Sequence, residues 1–68
     1  MRTFTVPFNR LNDDGFWTYD ETQFDVRDEG FVFMFNNLVD LFNKFVEENH
    51  WDVAYIDQIY EVPYNGEV

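Results

Sequence analysis

Fifteen aromatic side chains (nine Phe, four Tyr and two Trp) share this 68-residue chain with fourteen carboxylates and only four basic residues. Acidic segments without structure are poor in aromatics. At 22% aromatic content and a formal net charge of −10, the chain calls for a folded body with negative charge on its outside. One domain is all its length allows. A domain this small buries only about 60% of its unfolded surface, and with no cysteine it has no disulfide to staple it. Stability must come from large side chains, each of which removes roughly 150–250 Å² from water. Fifteen do not fit one small core. The surplus is expected at an interface, with a partner protein or a second copy.

The charge excludes some partners. Self-repulsion at this density opposes folding, and nucleic acid or anionic membrane would repel the chain. No apolar run reaches the roughly 18 residues of a membrane-spanning helix, and the N-terminus lacks a signal-peptide apolar region. These features lead to an expectation of a cytoplasmic site in a host cell.

Residues 3–8 alternate, with Phe4, Val6 and Phe8 on one face, and predict a strand that Pro7 places at an edge. Asn12-Asp13-Asp14-Gly15 predicts a turn with Gly15 at positive φ. Residues 16–19 predict a second strand, so residues 3–19 read as a hairpin. Asp20-Glu21-Thr22 breaks the pattern, and residues 23–27 alternate again.

Residues 28–49 admit two readings. In one, a single long helix carries a seam of Phe31, Phe35, Leu38, Phe42 and Phe45, with Phe33 stranded on the polar side. In the other, which we prefer, residues 28–30 form a turn with Gly30 left-handed. Phe31, Phe33 and Phe35 then share a strand face, and a helix covers about residues 37–49. Residues 53–62 predict a last strand, with Ala54, Ile56, Tyr60 and Val62 on one face and Tyr55, Asp57, Ile59 and Glu61 on the other. Residues 63–68 are expected to fray. The predicted fold is α+β: a small, mostly antiparallel sheet with one helix packed on one face. Its expected core is Phe4, Val6, Phe31, Phe33, Phe35, Leu38, Phe42 and Phe45.

The inventory argues against catalysis. The chain has no Ser and no Cys, the two commonest nucleophiles. A single histidine, His50, cannot make a two-histidine metal site and reads as a helix-end residue suited to the dipole. Lys44 lies four residues after Asp40, a helical ion-pair spacing. Asn12-Asp13-Asp14-Gly15 lacks the alternating ligands and twelfth-position glutamate of a calcium loop. No catalytic residue, metal or cofactor is expected.

Recognition of a protein remains. After Lys44 come Glu47, Glu48, Asp52, Asp57, Glu61 and Glu67, with no lysine or arginine. Together with Asp13, Asp14, Asp20, Glu21 and Asp40, these carboxylates, held on a rigid fold, suit a basic groove that normally grips phosphates. Trp17, Tyr19, Trp51 and Tyr55 are the candidate anchors. In size, charge and aromatic content the chain resembles phage-encoded inhibitors that mimic DNA, a group that includes uracil-DNA glycosylase inhibitors, anti-restriction proteins and some anti-CRISPR proteins. No motif is shared residue by residue. The resemblance implies an inhibitor of a basic, nucleic-acid-binding host protein. The alternatives are an inhibitor acting through an apolar surface with incidental charge, and a homodimeric structural or assembly protein.

Overall fold

The computed structural model describes residues 1–62; the expectation for the tail lies outside them. It is the expected α+β fold. Strand β1 (Arg2–Leu11) and strand β2 (Trp17–Val26) form one antiparallel hairpin, in register from Arg2↔Val26 to Leu11↔Trp17. Helix α1 (Phe31–Glu48) comes next. Strands β3 (Ala54–Ile56) and β4 (Tyr60–Glu61) then pair antiparallel with the other side of β1. β1 is therefore central, in the order β2-β1-β3, with β4 also against β1.

The hairpin turn closes as its residues dictate. The Gly15 amide donates to the Asn12 carbonyl at 2.9 Å, the Asn12 amide donates to the Phe16 carbonyl at 2.8 Å, and Gly15 has φ +86°. Asp20-Glu21-Thr22 does not interrupt β2, because the unbroken register against Val6, Pro7 and Phe8 carries the ladder through it.

Pro7 lies in the central strand and not at an edge. A residue of an antiparallel strand points its N–H and C=O to one side. The Pro7 carbonyl accepts from the amides of Asp57 (2.8 Å) and Gln58 (3.4 Å), so the missing N–H faces the gap between β3 and β4. No hydrogen bond to β2 is lost. Opposite Pro7 the register advances by one residue, from Phe8↔Ile56 to Thr5↔Tyr60. This is a one-residue bulge, and it reverses the facing of the residues beyond it. The expected single last strand is thus two short ones. Ile59 turns into the core, while Tyr60, paired with Thr5, shares a sheet face with Tyr55.

Residues 31–35 are helical, correcting the strand reading. Gly30 does take positive φ (+98°), but as the residue before the helix, where its carbonyl accepts from the Met34 amide at 3.0 Å. The buried seam is Met34, Leu38 and Phe42, spaced i, i+4, i+8. Extending a helix already anchored by that seam adds a hydrogen bond per residue without a new nucleation cost. Consequently Phe31, Phe33 and Phe35 are exposed, at 80%, 65% and 45%, and are not core residues.

The interior lies between α1 and one face of the sheet. Val6, Phe8 and Phe42 form one buried cluster, and Val26, Met34 and Leu38 form the other. Fully burying such a side chain is worth about 1.5–3 kcal/mol. Phe8 meets Phe42 and Phe45 edge-to-face at 5.4 and 5.8 Å, and Phe45 meets Trp51 likewise at 5.4 Å. Geometry of this kind adds about 0.5–1.5 kcal/mol per pair beyond area. The helix then stops in a double hydrogen-bonded turn. The His50 amide donates to Glu47 at 3.0 Å and the Trp51 amide to Val46 at 3.2 Å, with His50 left-handed at φ +58°. This Schellman arrangement folds Trp51 back onto the core.

Candidate protein-binding face

The ten-residue register of the hairpin sorts β2 into two faces. Thr18, Asp20, Thr22, Phe24 and Val26 lie on the α1 side, opposite Arg10, Phe8, Val6, Phe4 and Arg2. Trp17, Tyr19, Glu21, Gln23 and Asp25 lie on the other side, opposite Leu11, Asn9, Pro7, Thr5 and Thr3. Tyr55, paired with Asn9, joins this second face from β3, and the bulge adds Tyr60. α1 covers the first face, and among the described residues the second is an open sheet surface.

Four aromatic residues stand exposed on it: Trp17 (54%), Tyr19 (61%), Tyr55 (62%) and Tyr60 (47%). Between them, Thr5 and Pro7 of the central strand are buried. Trp17 and Tyr55 reach toward each other from β2 and β3 and stack, with ring centroids 6.0 Å apart and planes 28° from parallel. Hydrogen bonds fix part of the polar lattice. Thr3 Oγ1 donates to Asp25 Oδ1 at 2.6 Å, and Gln23 Nε2 donates to Thr5 Oγ1 at 3.2 Å.

Tyr19 reports the local field. Its phenol is held above the ordinary tyrosine value, first by partial removal from water and then by the negative charge of Asp57, the neighbouring Tyr60 and the charge of Glu21. Two carboxylates far apart in sequence, Glu21 of β2 and Asp57 just after β3, therefore act on one ring. No lysine or arginine is among the paired strand residues of this face; Arg2 and Arg10 both point to the α1 side. There Arg2 holds Glu61 through two contacts, Nη2–Oε1 at 2.7 Å and Nε–Oε2 at 2.8 Å, and also meets Asp28 at 3.2 Å. The Glu61 carboxyl is held below its ordinary range by the Arg2 hydrogen bonds. Arg10 lies over the Trp51 ring at 4.7 Å and donates to Asn12.

Of the candidate residues, the fold gathers Trp17, Tyr19, Glu21, Tyr55 and Asp57 on or beside the open face. Trp51 is half-buried in the core cluster and is not a surface anchor. Asp13 and Asp14 sit at the hairpin tip. Asp20 lies on the α1 side of β2, where its side chain accepts from the Glu21 amide. Asp40, Glu47 and Asp52 line a shallow groove along α1 that also holds Lys44, and Glu48 is exposed at the helix end. Asp40 and Lys44 make no ion pair; among the described residues the ion pairs are those of Arg2. Glu61 is already paired. The described carboxylates after Lys44 are thus divided over several surfaces and do not form one block.

Tyr60 and Asp25 belong to the face without having been singled out from sequence. Asp25 was legible from strand parity with Trp17 and Tyr19. Tyr60 was not, because the bulge reverses its parity.

Chemically, the face combines exposed π surfaces with unpaired carboxylates. Guanidinium and ammonium groups are attracted to both, with about 0.5–1 kcal/mol per exposed cation–π contact. Comparison of the chain with family models, curated proteins and solved structures gives no match. No helix of the described residues is long and apolar enough to cross a membrane.

Proposed function

We propose that this chain is a small binding protein, with no catalytic role, that applies its open sheet face to a basic groove of a partner and competes there with nucleic acid. One observation carries the reading. Trp17, Tyr19, Tyr55 and Tyr60 stand exposed on one sheet face beside Glu21, Asp25 and Asp57, with no basic residue among them. A groove that grips phosphates does so with lysines and arginines in a largely sequence-independent field. Such side chains suit aromatic planes and carboxylates equally well. The remaining surface charge of a −10 chain steers encounter, and the aromatics set the residence time. The proposal places this activity in the cytoplasm of a host cell, as an inhibitor of the phage-encoded kind.

The test is affinity capture of host proteins on the immobilised chain, with and without excess duplex DNA, at low and high salt. The expected result is recovery of a nucleic-acid-binding protein that DNA and salt both displace. Trp17→Ala with Tyr55→Ala should abolish that recovery while leaving the circular dichroism spectrum unchanged. Recovery of a partner indifferent to DNA and to the double variant rejects the reading.

A further inference from the structure

A second surface lies outside the open face. The first turns of α1 overhang the sheet beside the short β3–β4 segment, leaving a groove of about 410 Å³. Its walls are Phe31 and Phe35 of α1, Phe4 of β1, and Ile56 and Ile59 of the returning segment. Phe31 is 80% exposed, and Val32 and Phe33 beside it are 66% and 65% exposed. Exposed apolar side chains this concentrated mark an interaction site.

Charge selects the occupant. Asp57 and Glu61 line the groove; Glu61 is neutralised by Arg2, while Asp57 has no basic partner among the described ion pairs. Asp28, just before the helix, is likewise paired with Arg2, so Asp57 is the groove's unpaired carboxylate, and no lysine or arginine lines the groove. A second copy would bring another chain of net charge −10 against this acidic rim. We propose that the groove seats an amphipathic, lysine- or arginine-bearing helix of a partner protein. Its apolar side chains enter between Phe31, Phe35 and Ile59, and a basic side chain meets Asp57. Helix-in-groove recognition supplies the geometry. The groove shares Asp57 and Tyr60 with the edge of the open sheet face, but its apolar wall of Phe31, Phe35 and Ile59 is separate from Trp17 and Tyr55, so variants of each set tell the two sites apart.

The probe is a synthetic 18-residue amphipathic Leu/Lys helix, titrated into isotopically labelled chain and followed by amide chemical shifts. Shifts confined to residues 31–35 and 56–61 are expected. Phe31→Ser with Phe35→Ser should weaken binding more than tenfold, with the fold kept by circular dichroism. Trp17→Ala with Tyr55→Ala should change it less than twofold. An oligolysine of equal length should leave residues 31–35 unshifted; equal shifts there would mean that charge alone binds, and would overturn the proposal. A Leu/Gln helix binding as tightly as the Leu/Lys helix would overturn the cationic requirement. Sedimentation of the chain alone as a dimer that Phe31→Ser dissolves would assign the groove to a second copy and reject a partner helix.

Discussion

About three helical turns separate Phe31 from Phe42 on α1, and the two rings live in opposite worlds. Phe42 is 3% exposed and meets Phe8 edge-to-face at 5.4 Å. Phe31 is 80% exposed. Around Phe42 the helix lies over the ten-residue β1 and is closed in by Phe45 and Trp51. Beside Phe31 the described groove wall is Phe4 of β1, Ile56 at the end of the three-residue β3, and the two-residue β4. What differs is the sheet beneath and not the residue type. A chain of this size can fill one interior, and the rings beyond it stay exposed. The sheet repeats the pattern: Phe8 on the α1 side is 1% exposed, and Tyr19 on the other is 61% exposed.

The sharpest way to break this contrast is at its buried end. Phe42→Ala removes the centre of the Val6–Phe8–Phe42 cluster. Truncations of this kind cost about 3–5 kcal/mol, against a total of roughly 0.05–0.15 kcal/mol per residue for ordinary domains. The variant should be largely unfolded at room temperature by circular dichroism. A folded variant with an unchanged midpoint would mean that the helix is not held where we describe it.

The helix terminus offers a smaller, stabilising test. His50 occupies a left-handed position, φ +58°, which costs a side-chain-bearing residue roughly 1–2 kcal/mol. Glycine removes that cost but adds roughly 0.4–1 kcal/mol through greater freedom of the unfolded chain. His50→Gly should therefore raise stability by about 1 kcal/mol or less, read as a midpoint higher by a few degrees. A lower midpoint would indicate that the imidazole makes contacts that outweigh the strain.

Acid should loosen the β4 end by a smaller amount still. Arg2 holds the Glu61 carboxyl below its ordinary value. A carboxyl with a depressed folded value binds protons more readily in the unfolded chain, so stability rises with pH through that window. The contribution is present above the ordinary glutamate range and is lost as pH falls through the depressed folded value. Glu61→Gln should flatten this part of the acid unfolding curve without moving the neutral-pH midpoint much, because the pair is partly exposed and solvent-screened. An acid limb identical to that of the parent chain would remove Arg2–Glu61 from the account.

Much of this was legible in the sequence, and the misses have physical causes. The 3–19 hairpin, its Gly15 turn and the Phe4–Val6–Phe8 face arise from alternation and turn chemistry, which are local. So does the core stretch of α1, since Leu38 and Phe42 recur at helical spacing. Phe31, Phe33 and Phe35 misled because spacing by two imitates a strand, while the true anchor, Met34, sits between them. The β3–β4 bulge was invisible for a different reason. It lies opposite Pro7, a residue about fifty positions upstream whose missing N–H only matters once the strands meet. Of the open sheet face, the placement of the β2 and β3 aromatics was legible from parity. Trp51 was misplaced because the Schellman turn at His50, not the residue type, folds it inward.

The exposed end of α1 carries the smallest expected effect and the most discriminating one. Phe33 is the third helical residue and is 65% exposed. In a buried strand, Phe33→Asp would place an unpaired charge in the interior, costing several kcal/mol and unfolding so small a domain. At an exposed first-turn position the same change loses little packing, and the new carboxylate sits where the positive end of the helix dipole favours it by about 0.3–1 kcal/mol. The two terms nearly cancel, so the thermal midpoint of the isolated chain should move by less than about 0.5 kcal/mol equivalent. A steep drop would show that residues 31–35 are covered in solution. Concentration dependence of that drop would then separate coverage by a second copy, which dilution weakens, from packing within one chain, which dilution leaves unchanged.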